Sequence, residues 1–349
     1  MAVVYVREQG ACVHKSNLQL AVQKGKHILK KVPLSYVEQL AVFGNVQITT
    51  QLMQYLLQQG IEIHYFTYGG KYLGCSKGEH SRNIFLRCAQ YELFADMEKR
   101  VMIARILVDG KIGNQIAVIR RHRWDSSEKS AGQNENEKDA DAKNCRGNIC
   151  ENYNWHADVE SLEKQRRLLE KKESIEEIMG IEGMASMIYF RSYGQMFKSE
   201  LHFCGRNRRP PRDPVNAVLS LTYTFLTRDM CSILDVQSFE TYLGFLHGIR
   251  YGRKSLALDL IEVFRQPAAD RLVLRLFNKQ ILTKYDFRED DMEGIYLNED
   301  GFQKFCYEYE KWMTDKRNGD SWRTLMRRQA QILKETIQYG TVFQAWKWE

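Results

Sequence analysis

No run of 18 apolar residues occurs in this 349-residue chain, so no segment reads as a membrane-crossing helix. The opening stretch, Met1 to Arg7, has no basic segment followed by an apolar one. No secretory signal is therefore expected, and the expected compartment is the cytoplasm. Eight cysteines are present, but none has the paired spacing of a zinc site or a disulfide framework. Cys145 and Cys150, the nearest pair, lie in a polar segment, and reduced thiols are the expectation. Hydrophobic residues make up 44% of the chain and charged residues 27%, as in an ordinary globular protein long enough for two domains. With 51 Lys and Arg against 44 Asp and Glu the net charge is +7. That balance favours a polyanionic partner, although it would also serve solubility alone.

The first quarter is rich in short apolar or alternating runs: Val3 to Val6, Leu18 to Val22, and His27 to Leu29. Gly10, Asn17 and Gly25 punctuate them. A helical segment is expected from Thr50 to Gln59, then a strand over Ile61 to Phe66 and a hairpin through Gly69-Gly70. After about Cys75 the period becomes helical. Ser81 to Arg123 reads as two helices broken at Gly110 and Gly113. From Ser126 to Gly147 the only hydrophobic residues are Ala131, Ala140, Ala142 and Cys145. Such a segment buries too little surface to offset its ordering entropy and reads as a mobile insertion at about 126–150. Helical patterns resume near Asp158 and continue to about Gly340. The expected fold class is α+β: a small N-terminal β-rich domain at 1–75, then a larger all-α catalytic domain at 76–349.

Four residues interrupt apolar runs in the helical part: Glu182, His247, Asp259 and Glu262. Glu182 opens an otherwise apolar or small stretch to Phe190, where an ionised carboxylate needs a cation, a donor or a metal. A glutamate at a helix start, favoured by the macrodipole, is the plainer reading. His247 follows the apolar Leu243 to Leu246, and a lone buried histidine is most often just hydrogen-bonded. Ser255 to Arg265 reads as a strongly apolar helix with Ser255 as N-cap and two carboxylates three residues apart. At about 100° per residue those two differ by roughly 60° and share a face, where a divalent cation would relieve their repulsion. Oxygen donors with one imidazole suit Mg2+ or Mn2+, the latter tolerating the nitrogen better, whereas zinc would want more histidine or cysteine.

Between Glu182 and His247 lies a dense cationic loop, Gly205 to Pro214, carrying Arg206, Arg208, Arg209 and Arg212. It ends in a helix-start signal, Asp213 as N-cap and Pro214 at N1. A helix N-terminus among arginines favours phosphate, and Arg250 and Arg253 add charge beside His247. Ser321 to Tyr339 reads as a basic amphipathic helix with Trp322, Leu325, Met326, Gln329, Leu333 and Ile337 in its stripe. For that helix a core-facing stripe with a solvated basic side is the plainer reading, and for the loop a solvated basic surface is the alternative to phosphate contact.

At these residues the chain resembles the CRISPR-associated integrase-endonuclease of the spacer-acquisition machinery, the Cas1 (Cas-one) family. The resemblance rests on Ile181-Glu182-Gly183 with its small-apolar helix, Arg209 to Ser220, Gly244-Phe245-Leu246-His247, and Ser255 to Glu262, in that order and spacing. It extends over nearly the whole chain apart from the polar insertion. It implies a prokaryotic protein with a metal site of Glu182, His247 and Glu262 holding Mg2+ or Mn2+, and Asp259 auxiliary. Many family members carry aspartate where this chain has Glu262. The resemblance further implies a homodimer formed through the N-terminal β domain. It implies assembly with a dimer of a small ferredoxin-like Cas2 (Cas-two) subunit around a short DNA duplex. It implies, lastly, insertion of that DNA by 3′-hydroxyl attack on a CRISPR-repeat phosphodiester, with DNA cleavage as a second activity. Two other readings stand beside it: a non-catalytic DNA-binding scaffold of the same adaptation complex, and a helical protein whose acids and His247 are ordinary structural residues.

Overall fold

The structure is a computed structural model. It describes residues 2–78, 83–131, 153–198, 203, 205–207, 210–289, 294–316 and 319–348, and the side chains of all these except 2 and 123–131. The chain divides into two compact units. One comprises residues 1–81 with Cys306–Lys311, and the other comprises the remainder.

The first unit holds two four-stranded sheets. In one, the order is β1 (Ala2–Val6), β5 (Val37–Phe43), β7 (Glu62–Phe66), β8 (Tyr72–Ser76), parallel as far as β7 and antiparallel at the β8 edge. In the other, the order is β4 (His27–Pro33), β3 (Gln19–Lys24), β2 (Cys12–Ser16), β6 (Gln47–Ile48). The helix α1 (Thr50–Gln58) starts where expected, because Thr49 accepts from the Leu52 amide. It adds Leu52 and Leu56 to a core with Val6, Val13, Leu20, Leu40, Val42 and Ile63. Gly70, with φ of +87°, forms the β7–β8 hairpin. The central strand β5 is buried along most of its length and has no alternation to announce it.

The second unit is helical, as expected: α2 (Ile84–Ala95), α3 (Met97–Ala131), α4 (Trp155–Leu169), α5 (Ile175–Gly194), α6 (Pro214–Val236), α7 (Ser255–Phe264), α8 (Arg271–Asn278), α9 (Glu299–Thr314, of which Cys306–Lys311 belong to the first unit) and α10 (Trp322–Tyr339). It also carries one small hairpin, β9 (Phe287–Glu289) with β10 (Ile295–Leu297), so it is not purely α. The break expected at Gly110 and Gly113 does not occur. Instead α2 and α3 part at Asp96, and α3 runs on unbroken. Gly110 serves close packing: a Cβ there would meet the Ala345 side chain at 2.7 Å and Val263 at 3.2 Å. The long helix α3 packs on α4, α5 and α7 and so braces the elements that bear the acids. It also reaches Ala131, into the segment expected to be a mobile insertion, most of which lies outside the described residues.

The start of α6 follows the expected pattern, with Asp213 accepting from the Asn216 amide and Pro214 at the first helical position. Lys254, not Ser255, precedes α7; Ser255 is already helical and its hydroxyl donates to the Gly248 carbonyl. The described cysteines, Cys12, Cys75, Cys88, Cys231 and Cys306, are free thiols. Among the described residues no helix is long and apolar enough to cross a membrane.

Candidate active site

The acids come from two helices braced by a third. Glu182 sits in the second turn of α5, whose buried row Ile178, Ile181, Ala185 and Ile188 packs inward. That row leaves Glu182 at its border, with 26% of the side chain exposed. Glu262 lies on α7 and is almost wholly buried, at 5%. From α3, Lys111 reaches between them: its Nζ pairs with Glu182 Oε1 and with Glu262 Oε2, the latter at 2.6 Å. Arg265, one turn on, donates from Nε to Glu262 Oε1 at 2.9 Å. The Arg265 guanidinium lies over the Tyr223 ring, whose hydroxyl donates to the buried Asp270. Ser186, one turn along α5, donates to Glu182 Oε1 at 2.9 Å.

His247 lies in a loop and not on a helix. The loop folds tightly over the start of α7. At Gly244 a Cβ would meet Asp259 Oδ2 at 2.7 Å and the Ser255 carbonyl carbon at 2.7 Å, so a side chain there would push the loop away. Asp259, fully buried, fastens the loop: it accepts from the Leu246 and His247 amides, both at 2.9 Å. Its Oδ1 also stands 2.7 Å from His247 Nδ1. An ionised carboxylate only accepts, so Nδ1 donates, and in the neutral ring Nε2 carries the lone pair. This is the arrangement by which a carboxylate orients a metal-binding imidazole.

Charge holds this cluster in its ionised form. Burial on its own would raise the Glu262 pKa, but Arg265, Lys111 and His247 together bring it down to about 2. Burial works against the ammonium of Lys111, yet Glu262 and Glu182 outweigh it and raise that pKa. Burial likewise opposes the imidazolium of His247; the Asp259 hydrogen bond and charge, with Glu262, raise it overall. Asp270, surrounded by tyrosines, is raised to about 6 by burial.

Among the described residues no three His, Cys, Asp or Glu side chains are gathered around one position as a metal site would need. The two carboxylates face one cation, but that cation is the ammonium of Lys111. The donor chemistry nevertheless fits a hard divalent ion. Glu262 Oε2 is buried with no hydrogen-bond partner apart from the Lys111 ion pair, and Glu182 and the oriented Nε2 of His247 complete an oxygen-rich set with one nitrogen. Glu182, Glu262 and His247 could therefore hold Mg2+ or Mn2+, with Asp259 already committed to three hydrogen bonds.

The arginines divide. Arg206 turns inward, donating to Asn216 Oδ1, Ser220 Oγ and the Asn207 carbonyl. Arg212 and Arg250 are exposed. Arg253 is half-buried and donates to the Gly248 carbonyl and Ser255 Oγ. Arg208 and Arg209 lie outside the described residues. On α10, Arg323 is buried against Asp229, whereas Arg327 and Arg328 are exposed.

Sequence reasoning missed Lys111, although a signal was present. Ile103, Leu107, Lys111, Gln115 and Ile119 recur every four residues and all are buried, so a lysine and a glutamine interrupt an inward row. Asn114 was also missed: it bonds the Val263 and Trp346 carbonyls and so joins α3 to α7 and to the C-terminal tail. That tail stacks Trp346 on Phe264 at the end of α7.

Residues 4–311 match the family model described as CRISPR associated protein Cas1. The chain belongs to the Cas1 family. A relative from Thermus thermophilus, named CRISPR-associated endonuclease Cas1 3, is 33% identical over 319 residues, which span 90% of this chain and 86% of that protein. A second, from Chlorobaculum tepidum, named CRISPR-associated endonuclease Cas1 1, is 31% identical over 88% of this chain and 85% of its own. Among solved structures, a CAS1 protein from Thermotoga maritima superposes with a TM-score of 0.80 at 25% identity, covering 99% of this chain and all of that one. A casposase solved with an integration product shares the fold with the same TM-score at 19% identity, over all of this chain and 95% of its own. The β-rich first unit and helical second unit of this Cas1-family chain are thus those of its relatives.

Proposed function

We propose that this Cas1-family chain is a divalent-metal-dependent DNA endonuclease and integrase of CRISPR adaptation. In this reading it inserts short foreign DNA into the repeat array. The observation that carries the proposal is the meeting of Glu182, from α5, and Glu262, from α7, on one buried cation, beside a histidine whose ring Asp259 holds by Nδ1. A purely DNA-binding scaffold has no use for two acids that repel phosphate, and the endonuclease names of its relatives support a catalytic reading.

Glu182, Glu262 and His247 Nε2 would hold Mg2+ or Mn2+. When bound, the ion supplies Lewis acidity toward the phosphoryl oxygen and favours the alkoxide form of the attacking hydroxyl. The protein's own groups do the rest. Asp259 holds the imidazole by Nδ1, so that the neutral ring carries its lone pair at Nε2, and Arg265 fixes the Glu262 carboxylate. Exposed Arg212 and Arg250 contact the DNA backbone. The reaction is a transesterification: the DNA 3′-oxygen forms a new P–O bond, the repeat 3′-oxygen leaves with a proton, and no water is consumed.

The partners follow from the same reading: a DNA duplex, a CRISPR repeat, a second copy of this chain and a small Cas2 subunit. Exposed Leu18, Ile28 and Leu29 on the β3–β4 side and Leu73 on the β8 edge support a contact between copies through the first unit. The test is strand joining by the full chain with its Cas2 partner under Mn2+. Glu182→Ala and His247→Ala should abolish joining and leave DNA binding intact. Joining at the wild-type rate by either variant would refute the site. DNA binding without joining by the wild-type protein would favour the scaffold.

A further inference from the structure

Lys111 presents a feature that the metal reading alone leaves unexplained. Its side chain is 5% exposed and its Nζ contacts an oxygen of each carboxylate that the metal would need. A buried ammonium persists only where anions compensate it, and two carboxylates from different helices stay close only where a cation lies between them. Each requirement is met by the other. Counting Glu182, Glu262, Lys111 and Arg265 as ionised, the cluster is already neutral. A divalent ion entering the same oxygens adds two positive charges next to an ammonium at contact distance.

We propose that Lys111 is an exchangeable counter-ion: it holds Glu182 and Glu262 together in the metal-free protein, and metal entry displaces its ammonium from the two carboxylates. This rests on the metal reading above. The backbone of α3 is pinned, since Asn114 bonds the Val263 and Trp346 carbonyls and Gly110 packs against Ala345 and Val263. Exchange therefore proceeds by rotation of the lysine's four-carbon stem, with the helix in place. The way out lies beside Glu182, the partly exposed member of the cluster. Metal binding in this chain is then an exchange of one cation for another, and the lysine sets its affinity.

The experiment uses the full, DNA-free chain and Mn2+ alone. Loss of the free Mn2+ magnetic-resonance signal reports affinity. Lys111→Met keeps the stem and removes the charge, and should bind Mn2+ about ten-fold tighter than wild type or better. Equal or weaker binding by the variant overturns the proposal. A second measurement needs no variant. Reductive methylation of the wild-type protein, mapped by mass spectrometry, should leave Lys111 protected without metal and modify it several-fold more at saturating Mn2+. Lys111 equally protected in both states overturns the exchange. If wild type binds Mn2+ and Lys111 stays protected, the counter-ion role alone falls. If neither protein binds Mn2+, the metal site of the proposed function falls with it.

Discussion

Replacing Glu262 by glutamine keeps the shape of a buried side chain and removes its charge, which makes it the sharpest probe of the electrostatics. In the folded chain the carboxyl titrates near 2, against an ordinary 4.5. That depression, at about 1.36 kcal/mol per pH unit, means the ionised form contributes about 3 kcal/mol to stability at neutral pH. Because the folded pKa is the depressed one, that contribution is present in full above about pH 4.5. It declines as pH falls through the folded value, leaving about 2 kcal/mol at pH 3.5. Glutamine imitates the protonated acid and leaves Lys111 and Arg265 facing an uncharged partner in a dry pocket. Thermal unfolding in chelator at pH 7 should show Glu262→Gln melting about 6 °C below wild type, at about 2 °C per kcal/mol for a helical unit of this size. The gap should narrow at pH 3.5. A variant as stable as wild type at pH 7, or a gap that ignores pH, would show that the carboxylate is not held by these cations and would sink the reasoning.

Asp259→Asn leaves a single side-chain oxygen for three donors and should cost 10–100-fold, to order of magnitude, in Mn2+ affinity and strand joining, read by titration and by gel. The raised His247 pKa carries two consequences of opposite sense. Its imidazolium–Asp259 pairing stabilises the fold fully below the unfolded value of 6.5 and is lost as pH rises through the folded value, whereas Mn2+ binding requires the neutral ring and strengthens over that same rise. A midpoint of Mn2+ binding below 6.5 would contradict this. Gly110→Ala forces a methyl against Ala345 and should destabilise by about 1–3 kcal/mol in urea unfolding, despite alanine's better helix propensity. Arg212→Ala and Arg250→Ala should each lower DNA affinity and reduce the salt slope by about one, while Arg206→Ala should lower the melting temperature instead, since its donors are spent within the loop.

Local patterns were legible where the physics is local. The N-cap and N1 pair at Asp213 and Pro214, the Gly70 hairpin and the two acids of α7 all follow from dihedral preference or helical period within a few residues. Gly110 misled for the same reason. A glycine inside a helix reads as a break by local propensity, and only the approach of Ala345 and Val263 explains it. Ser255 misled too: it is already helical, and its hydroxyl donates to the Gly248 carbonyl instead of accepting from an amide of the first turn. The strand β5 was missed because burial on both faces erases alternation.

By itself the sequence determined the two-part architecture and singled out the acids, the imidazole and the basic loop as candidates, since composition and short-range period carry those. Only tertiary structure decided what neutralises the acids. Lys111 stands 71 residues from Glu182, on a different helix, and nothing local ties a lysine to a carboxylate so far along the chain. The same holds for the arginines: whether a guanidinium meets Asn216 or open solvent depends on how the loop closes over α6, a matter of packing that residue type leaves undetermined.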